Sequence, residues 1–166
     1  MNVAEILYLI KTTPMVKQSA GILLYRFKHH TMEVLLVHPG GPFWAKKDAA
    51  AWSIPKGEFD DAEDALDAAK REFKEETGIA VNGDFIALKP VKLKSGKVIY
   101  AFALQGDLDA SLISSNYFEI EWPPRSGKRQ SFPEVDKSEW FTIAVAKEKI
   151  NAAMVPLLDE LSELKG

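Results

Sequence analysis

Three glutamates close together in one charged segment have the type and spacing that could support chemistry. Glu72, Glu75 and Glu76 stand at positions i, i+3 and i+4, which places their carboxylates on one side of an α-helix. Carboxylates at this spacing repel one another until a cation neutralises them. Because hard oxygen ligands without histidine or cysteine suit Mg²⁺ or Mn²⁺ rather than zinc, the spacing predicts a platform for a divalent cation. A solvated helix face is the alternative for such a cluster taken alone.

The register of the whole segment favours the first interpretation. Residues 57–79 contain the spaced series Gly57, Glu63, Arg71, Glu72, Phe73, Glu75, Glu76, Gly78 and Ile79. This series fills all nine defined positions of the Nudix box, G-x5-E-x7-R-E-U-x-E-E-x-G-U, where U is a bulky aliphatic or aromatic residue. The chain therefore resembles the Nudix hydrolases. It departs slightly at Phe73, where the family more often has an aliphatic residue.

The resemblance implies hydrolysis of a phosphoanhydride bond in a nucleoside diphosphate linked to another moiety, with Mg²⁺ or Mn²⁺ as the cofactor. The implied metal ligands are the backbone carbonyl of Gly57 and the carboxylates of Glu72, Glu75 and Glu76. Arg71 would orient Glu72 through an ion pair. Glu63 would support the loop, a role that can coexist with the capping of the following helix.

Two glutamates are candidates for the general base that takes a proton from the attacking water. Glu72 is the first. Relatives that split dinucleoside polyphosphates resemble this sequence in having a glutamate six residues before a tryptophan, as Glu134 stands to Trp140. Glu134 is therefore the second candidate, and a loop carboxylate without a catalytic role is the alternative for it. The sequence leaves this choice open.

Residues before the box point to a phosphate-rich nucleotide as the substrate. The triplet at residues 55–57 resembles the Nudix subgroup that acts on dinucleoside polyphosphates, diphosphoinositol polyphosphates or capped 5′-triphosphate ends, and Lys56 would contact a polyphosphate oxygen. Phe43 and Trp44 lie in a loop rich in glycine and proline, where they are predicted to stack on a base or to cover the core.

A dinucleoside polyphosphate or a nucleoside triphosphate is the favoured substrate. Within the enzyme class, 8-oxo-dGTP, an RNA 5′ end and a nucleotide sugar are the alternatives. Outside it, the alternative is a non-catalytic Nudix domain that senses or binds a nucleotide. The complete box disfavours that alternative, since loss of box glutamates would be expected in it.

The elements that must position these residues suggest an α/β fold. A helix is predicted at residues 62–77, with a capping box of Asp60 and Glu63 and with Gly78 ending it. Strands are predicted at residues 19–25, 34–37, 85–93, 98–104, 118–122 and 139–141, with a second helix at 145–164 and a surface loop at 123–133. This order predicts a Nudix-type α/β/α sandwich with a mixed β-sheet.

Composition limits the remaining possibilities. The chain has 166 residues, 46% of them hydrophobic, no cysteine and a net charge of -3, which predicts one globular domain. Together with the resemblance, this implies a Nudix hydrolase domain at residues 15–166 after an N-terminal extension at 1–14. The lack of cysteine excludes disulfides and thiol nucleophiles, and the acidic balance disfavours duplex nucleic acid. We expect a cytoplasmic monomer or homodimer whose partner is a small-molecule nucleotide, with no membrane segment.

Overall fold

The computed structural model describes residues 1–12 and 16–166, which form a mixed sheet with helices on both faces. The main sheet contains β1 (Gln18–Lys28), β2 (Thr31–Pro39), β3 (Lys56–Glu58), β4 (Ile86–Ala87), β5 (Val91–Lys92), β6 (Val98–Gln105) and β9 (Val135–Thr142). A separate two-stranded sheet consists of β7 (Tyr117–Glu121) and β8 (Arg129–Pro133). The α-helices are α1 (Val3–Thr12), α2 (Ala65–Thr77), α3 (Ile143–Lys149) and α4 (Val155–Lys165).

The strand order of the main sheet is β4-β6-β1-β2-β9, with β5 also paired to β6 and β3 also paired to β1. Strands β1 and β6 run parallel, and the other pairs are antiparallel. The short strand β3 places Gly57 opposite Ala20, whose partner on the other side is Tyr100 of β6. Gly57, the first residue of the Nudix-like segment, is thereby attached to β1 at the centre of the sheet.

Alternate residues of β1 pack into two separate cores because successive side chains of a strand point to opposite faces. Ile22 and Leu24 pack with Phe73 of α2 on one face. On the other face, Leu23 packs with residues of α3 and α4 that include Leu157. The predicted α/β/α sandwich with a mixed sheet is confirmed.

Helix α2 begins later than its sequence pattern predicts. The helix starts at Ala65, and its N-cap is Asp64, whose carboxylate accepts hydrogen bonds from the amides of Leu66 and Asp67. The predicted capping box of Asp60 and Glu63 is wrong, because Asp64 satisfies the free amides of the first turn. The predicted end is correct: Gly78 adopts a left-handed conformation with φ 76°, which glycine tolerates without strain.

Three other segments also differ from the sequence prediction. The single strand predicted at residues 85–93 is divided into β4 and β5, with Pro90 between them. The predicted surface loop at residues 123–133 contains β8, which pairs with β7 around a turn that has Gly127 at φ 71°. The predicted C-terminal helix is interrupted between α3 and α4, where the chain passes through Asn151 and a 3₁₀ turn at Ala152–Met154. Helix α4 then begins at Val155 and has Pro156 in its first turn, a position that proline fits.

The N-terminal extension contains α1, and the boundary predicted between residues 14 and 15 lies outside the described residues. Within residues 1–12 and 16–166, no helix has the length and apolar character needed to cross a membrane.

Candidate active site

Arg71 links three glutamates of the predicted site. Its Nε and Nη2 atoms both donate to the Glu63 carboxylate at 2.9 Å, in the paired geometry that a guanidinium favours. Its Nη1 atom donates to Glu72 at 2.7 Å and to Glu75 at 3.3 Å. Because the hydrogen bond from Arg71 favours the charged form of Glu63, the pKa of that carboxyl is lowered.

The turn at β3 packs directly on α2. The backbone amide of Lys56 donates to Glu76 Oε2 at 3.0 Å. Next to it, Gly57 lies against the carboxyl group of Glu72, so that a Cβ atom at position 57 would overlap that carboxyl. Glycine is therefore required here by close approach of the backbone to a side chain.

Burial changes the proton affinity of these groups. It raises the pKa of Glu72, whose residue is 8% exposed, and that of Glu76. It lowers the pKa of the Lys56 ammonium group. Each shift has the direction expected when a charged form loses water. The site thus contains poorly hydrated carboxylates that a cation would stabilise.

Glu134 reaches the same site through a chain of backbone hydrogen bonds. The amide of Asn116 donates to the carbonyl of Glu75 at 2.9 Å, and the amide of Glu134 donates to the carbonyl of Asn116 at 2.8 Å. Burial and the charge of Glu75 raise the pKa of Glu134. No donor in the described part of the chain bonds to its side-chain carboxylate, which leaves that group available to accept a proton.

One family of proteins matches most of the chain. The family model for the NUDIX domain matches residues 15–161. The chain belongs to the Nudix hydrolase family. No curated protein matches the chain in sequence.

Solved Nudix structures share the fold of this chain. An Ap4A hydrolase from C. elegans, in a binary complex, is 23% identical over 90% of this chain and 97% of that chain, with a TM-score of 0.61. The NUDIX domain of Shewanella oneidensis NrtR, complexed with ADP ribose, is 17% identical over 100% of both chains, with a TM-score of 0.65. A mutT/nudix family protein from Listeria innocua is 17% identical over 92% of this chain and 94% of that chain, with a TM-score of 0.58. At these identities the likeness shows the fold alone.

Nudix hydrolases generally use divalent metal ions, and the oxygen donors of this site fit such an ion chemically. The carboxylates of Glu72, Glu75 and Glu76 and the carbonyl of Gly57 are hard ligands, and the lack of a Cβ at Gly57 keeps the backbone close to Glu72. In the described part of the chain, however, no three acidic or histidine side chains converge as a ready-made metal cluster. Arg71 engages Glu72 and Glu75 instead.

The aromatic side chains of the predicted substrate loop lie at the surface. Phe43 is 63% exposed and Trp44 is 37% exposed, and neither belongs to the residues that pack in or against the two cores. The ammonium group of Lys47 lies 4.8 Å from the centre of the Trp44 ring. The amide of Gly40 donates to the carbonyl of Glu134 at 2.9 Å, which connects this loop to the site.

Sequence reasoning missed two groups of residues that shape this Nudix site. The first is the second strand of the β7–β8 hairpin, because only its first strand is predicted, at residues 118–122; the ring of Trp122 lies 5.4 Å from that of Phe43. The signal of β8 in the sequence is Gly127, a turn residue before it. The second is His38, which is fully buried and contacts Asp136. The sequence around a lone histidine does not distinguish a buried structural role from a position at the surface.

Proposed function

We propose that this Nudix domain catalyses hydrolysis of a phosphoanhydride bond in a nucleoside diphosphate linked to another moiety, with Mg²⁺ or Mn²⁺ as its cofactor. The observation that carries the proposal is the connection of Glu134 to Glu75 through Asn116. This connection adds to the glutamates of the box a carboxylate of a second kind, one that accepts no hydrogen bond from any described residue. A site with both kinds of carboxylate has groups for binding a cation and for accepting a proton.

The residues of the box would bind and orient. Glu72, Glu75, Glu76 and the Gly57 carbonyl are the proposed ligands of the cation. Arg71 is a positioning residue, since its guanidinium holds both Glu63 and Glu72. Glu63 supports the loop by fixing the other end of that guanidinium. When bound, the cation would neutralise charge on the phosphate oxygens and lower the pKa of the attacking water.

Glu134 is the better candidate for the general base. Its carboxylate has no hydrogen-bond donor among the described residues, whereas Glu72 accepts a hydrogen bond from Arg71 at 2.7 Å. Burial raises the pKa of Glu134, and a raised pKa strengthens a carboxylate as a base. Glu72 remains the alternative base.

A dinucleoside polyphosphate or a nucleoside triphosphate is the proposed substrate. The half-buried Lys56 beside the box would meet a polyphosphate oxygen, and Phe43 and Trp44 would stack on a base. The resemblance of residues 55–57 to the polyphosphate-specific subgroup and the shared fold with an Ap4A hydrolase support this choice. The other candidates, 8-oxo-dGTP, an RNA 5′ end and a nucleotide sugar such as ADP-ribose, belong in the same assay.

The test is a panel of these substrates with Mg²⁺ and with Mn²⁺, in which mononucleotide and phosphate products are measured. We expect Glu75→Gln to lower kcat through loss of a cation ligand, and Glu134→Gln to lower it about 10²- to 10⁴-fold through loss of the base. Glu163→Gln is the matched control, because Glu163 is an exposed glutamate on α4.

Each result has a definite meaning. Absence of turnover of every substrate in the panel would refute the catalytic proposal and support a nucleotide-binding Nudix module. An unchanged rate for Glu134→Gln, together with a large loss for Glu72→Gln, would transfer the role of base to Glu72. We further propose that the chain works in the cytoplasm as a monomer or homodimer, which light scattering and fractionation of cells would test.

A further inference from the structure

The β7–β8 hairpin is attached to the proposed site at its base. Asn116 precedes β7 and Glu134 follows β8, and both belong to the hydrogen-bonded connection to Glu75. The hairpin is not hydrogen-bonded to the main sheet, since β7 and β8 pair only with each other. Within the described part of the chain, the hairpin is therefore a separate sheet attached beside the proposed site.

The hairpin packs against the loop at residues 40–47, which we call the aromatic loop. Gly41 lies so close to the Phe118 ring that an added Cβ would come within 2.9 Å of it. Farther along, the rings of Phe43 and Trp122 meet edge to face at 5.4 Å and 77°. The loop and the hairpin thus form one continuous surface beside Glu134.

This surface combines exposed rings with cations. Phe43 and Trp44 are exposed, and Lys46, Arg125 and Lys128 are exposed around them or at the hairpin turn. Among the described residues, no carboxylate forms an ion pair with any of these three cations. Exposed rings next to unpaired cations suit a ligand that has a base and phosphates.

A second pair of rings lies on the other side of the site. Tyr100 stands in the same cross-strand row as Ala20 and Gly57, and its ring meets Phe59 at 5.9 Å. The sheet order places β6, which contains Tyr100, and β9, which follows Glu134, on opposite sides of β1. The reaction centre is therefore bordered by an aromatic pair on each side.

Given the proposed function, we infer that the aromatic loop and the β7–β8 hairpin bind the second nucleoside of a dinucleoside polyphosphate. Trp122 and Phe43 stack on its base, and Arg125 and Lys128 contact its phosphates. The phosphate chain crosses the box glutamates, and the first nucleoside lies toward Phe59 and Tyr100. A mononucleoside triphosphate has only one base and cannot occupy both aromatic pairs at once, so the hairpin determines selectivity between these two substrates.

The test compares the kcat/KM values of diadenosine tetraphosphate and ATP. We expect Trp122→Ala to lower the ratio of the value for diadenosine tetraphosphate to the value for ATP about tenfold, the size expected for loss of one stacked base. The paired substitution of Arg125→Ala and Lys128→Ala, at an exposed turn where folding is not threatened, should lower the ratio and weaken its dependence on salt. Thermal unfolding of each variant separates these effects from loss of structure.

Phe27→Ala is the matched control, because Phe27 is another exposed aromatic residue, 45% exposed on β1. It should leave the ratio unchanged. An unchanged ratio in both Trp122→Ala and the paired charge variant, with both substrates still hydrolysed, would overturn the inference and leave the proposed function intact. Failure of the unmodified protein to hydrolyse diadenosine tetraphosphate, while another substrate of the panel is hydrolysed, would likewise overturn the inference alone, and absence of turnover of every substrate in the panel would overturn both.

Discussion

Arg71 is the residue that makes the acidic cluster of α2 tolerable without a cation. Like-charged side chains three or four positions apart destabilise a helix, and Glu72, Glu75 and Glu76 have this spacing. The guanidinium of Arg71 contacts Glu72 and Glu75 and reaches outside the helix to Glu63. These bonds raise the pKa of Arg71, with the bond to Glu63 as the largest cause. Its charge is therefore permanent at any pH at which the protein folds.

Gly57 offers a direct test of how closely this network is fitted. We expect Gly57→Ala to lower kcat about 100-fold, because the added methyl group displaces the Glu72 carboxyl by an ångström or more. Stability should change little, since the displaced atoms are the far end of a side chain. Steady-state kinetics and thermal unfolding together check both expectations.

Gly106→Ala is the control for this substitution. A Cβ at that position would meet only Leu24 Cδ1, at 3.2 Å. Gly106 also lies outside the proposed site. This variant should keep its activity. If Gly57→Ala is as active as the unmodified protein, the position of Glu72 does not matter for the reaction.

The helical part of the site is predictable from sequence, and the loop part is not. The period of an α-helix places Arg71 and Glu75, four positions apart, on one side, so their contact follows from spacing. The contact between the adjacent residues Arg71 and Glu72 is implied by the family resemblance instead. Glu63 lies in the non-helical segment before α2, where no period applies. Its role as the partner of Arg71 replaces the predicted capping role because Asp64 takes the cap.

At the scale of elements, the parts that sequence predicted poorly are those whose structure depends on distant contacts. Strand β8 is mostly exposed and lacks a clear alternation, and it becomes a strand because β7 pairs with it. By contrast, β1 and β2 have long buried runs, both were predicted as strands, and they pair with each other. Buried strands have a strong signal in composition, whereas an exposed hairpin has only its turn.

A buried histidine connects three of these elements. The ring of His38, at the end of β2, faces the Lys47 carbonyl oxygen at 2.6 Å from Nε2 and the Asp136 carboxylate at 2.7 Å from Nδ1. Each ring nitrogen of His38 therefore lies within hydrogen-bond distance of an oxygen atom from another segment. The end of β2, the aromatic loop and the start of β9 are thus held together.

His38→Ala should therefore destabilise the fold and loosen the aromatic loop. We expect the free energy of unfolding in urea to fall by about 2–4 kcal/mol, from loss of the buried ring and of its contacts with Lys47 and Asp136. The KM for the substrate should rise as well, since Phe43 and Trp44 lie between the two joined segments. His30→Asn is the control, because asparagine tolerates the left-handed φ of 64° at that exposed turn. Equal stability of the two variants would show that His38 does not join these elements.

At the scale of the whole molecule, net charge gives a misleading picture of the ligand. The chain has a net charge of -3, which disfavours a polyanionic substrate. The negative charge is locally concentrated in the glutamates of the site, whereas Lys56, the aromatic loop and the hairpin turn supply cations around them. A bound divalent cation would offset much of this negative charge and present a positive ion to the phosphate groups.

This arrangement predicts that a divalent cation stabilises the folded chain in the absence of any substrate. Binding to the folded state alone contributes about 1.4 kcal/mol when the free cation is at ten times its Kd, which corresponds to a rise in Tm of about 3–6 °C for a chain of this size. Thermal unfolding with MgCl₂, against NaCl at matched ionic strength, measures the effect. Glu75→Gln should reduce the rise, and Glu163→Gln should not. An equal rise with NaCl, or an equal response of the two variants, would show that the glutamates of α2 do not hold the cation.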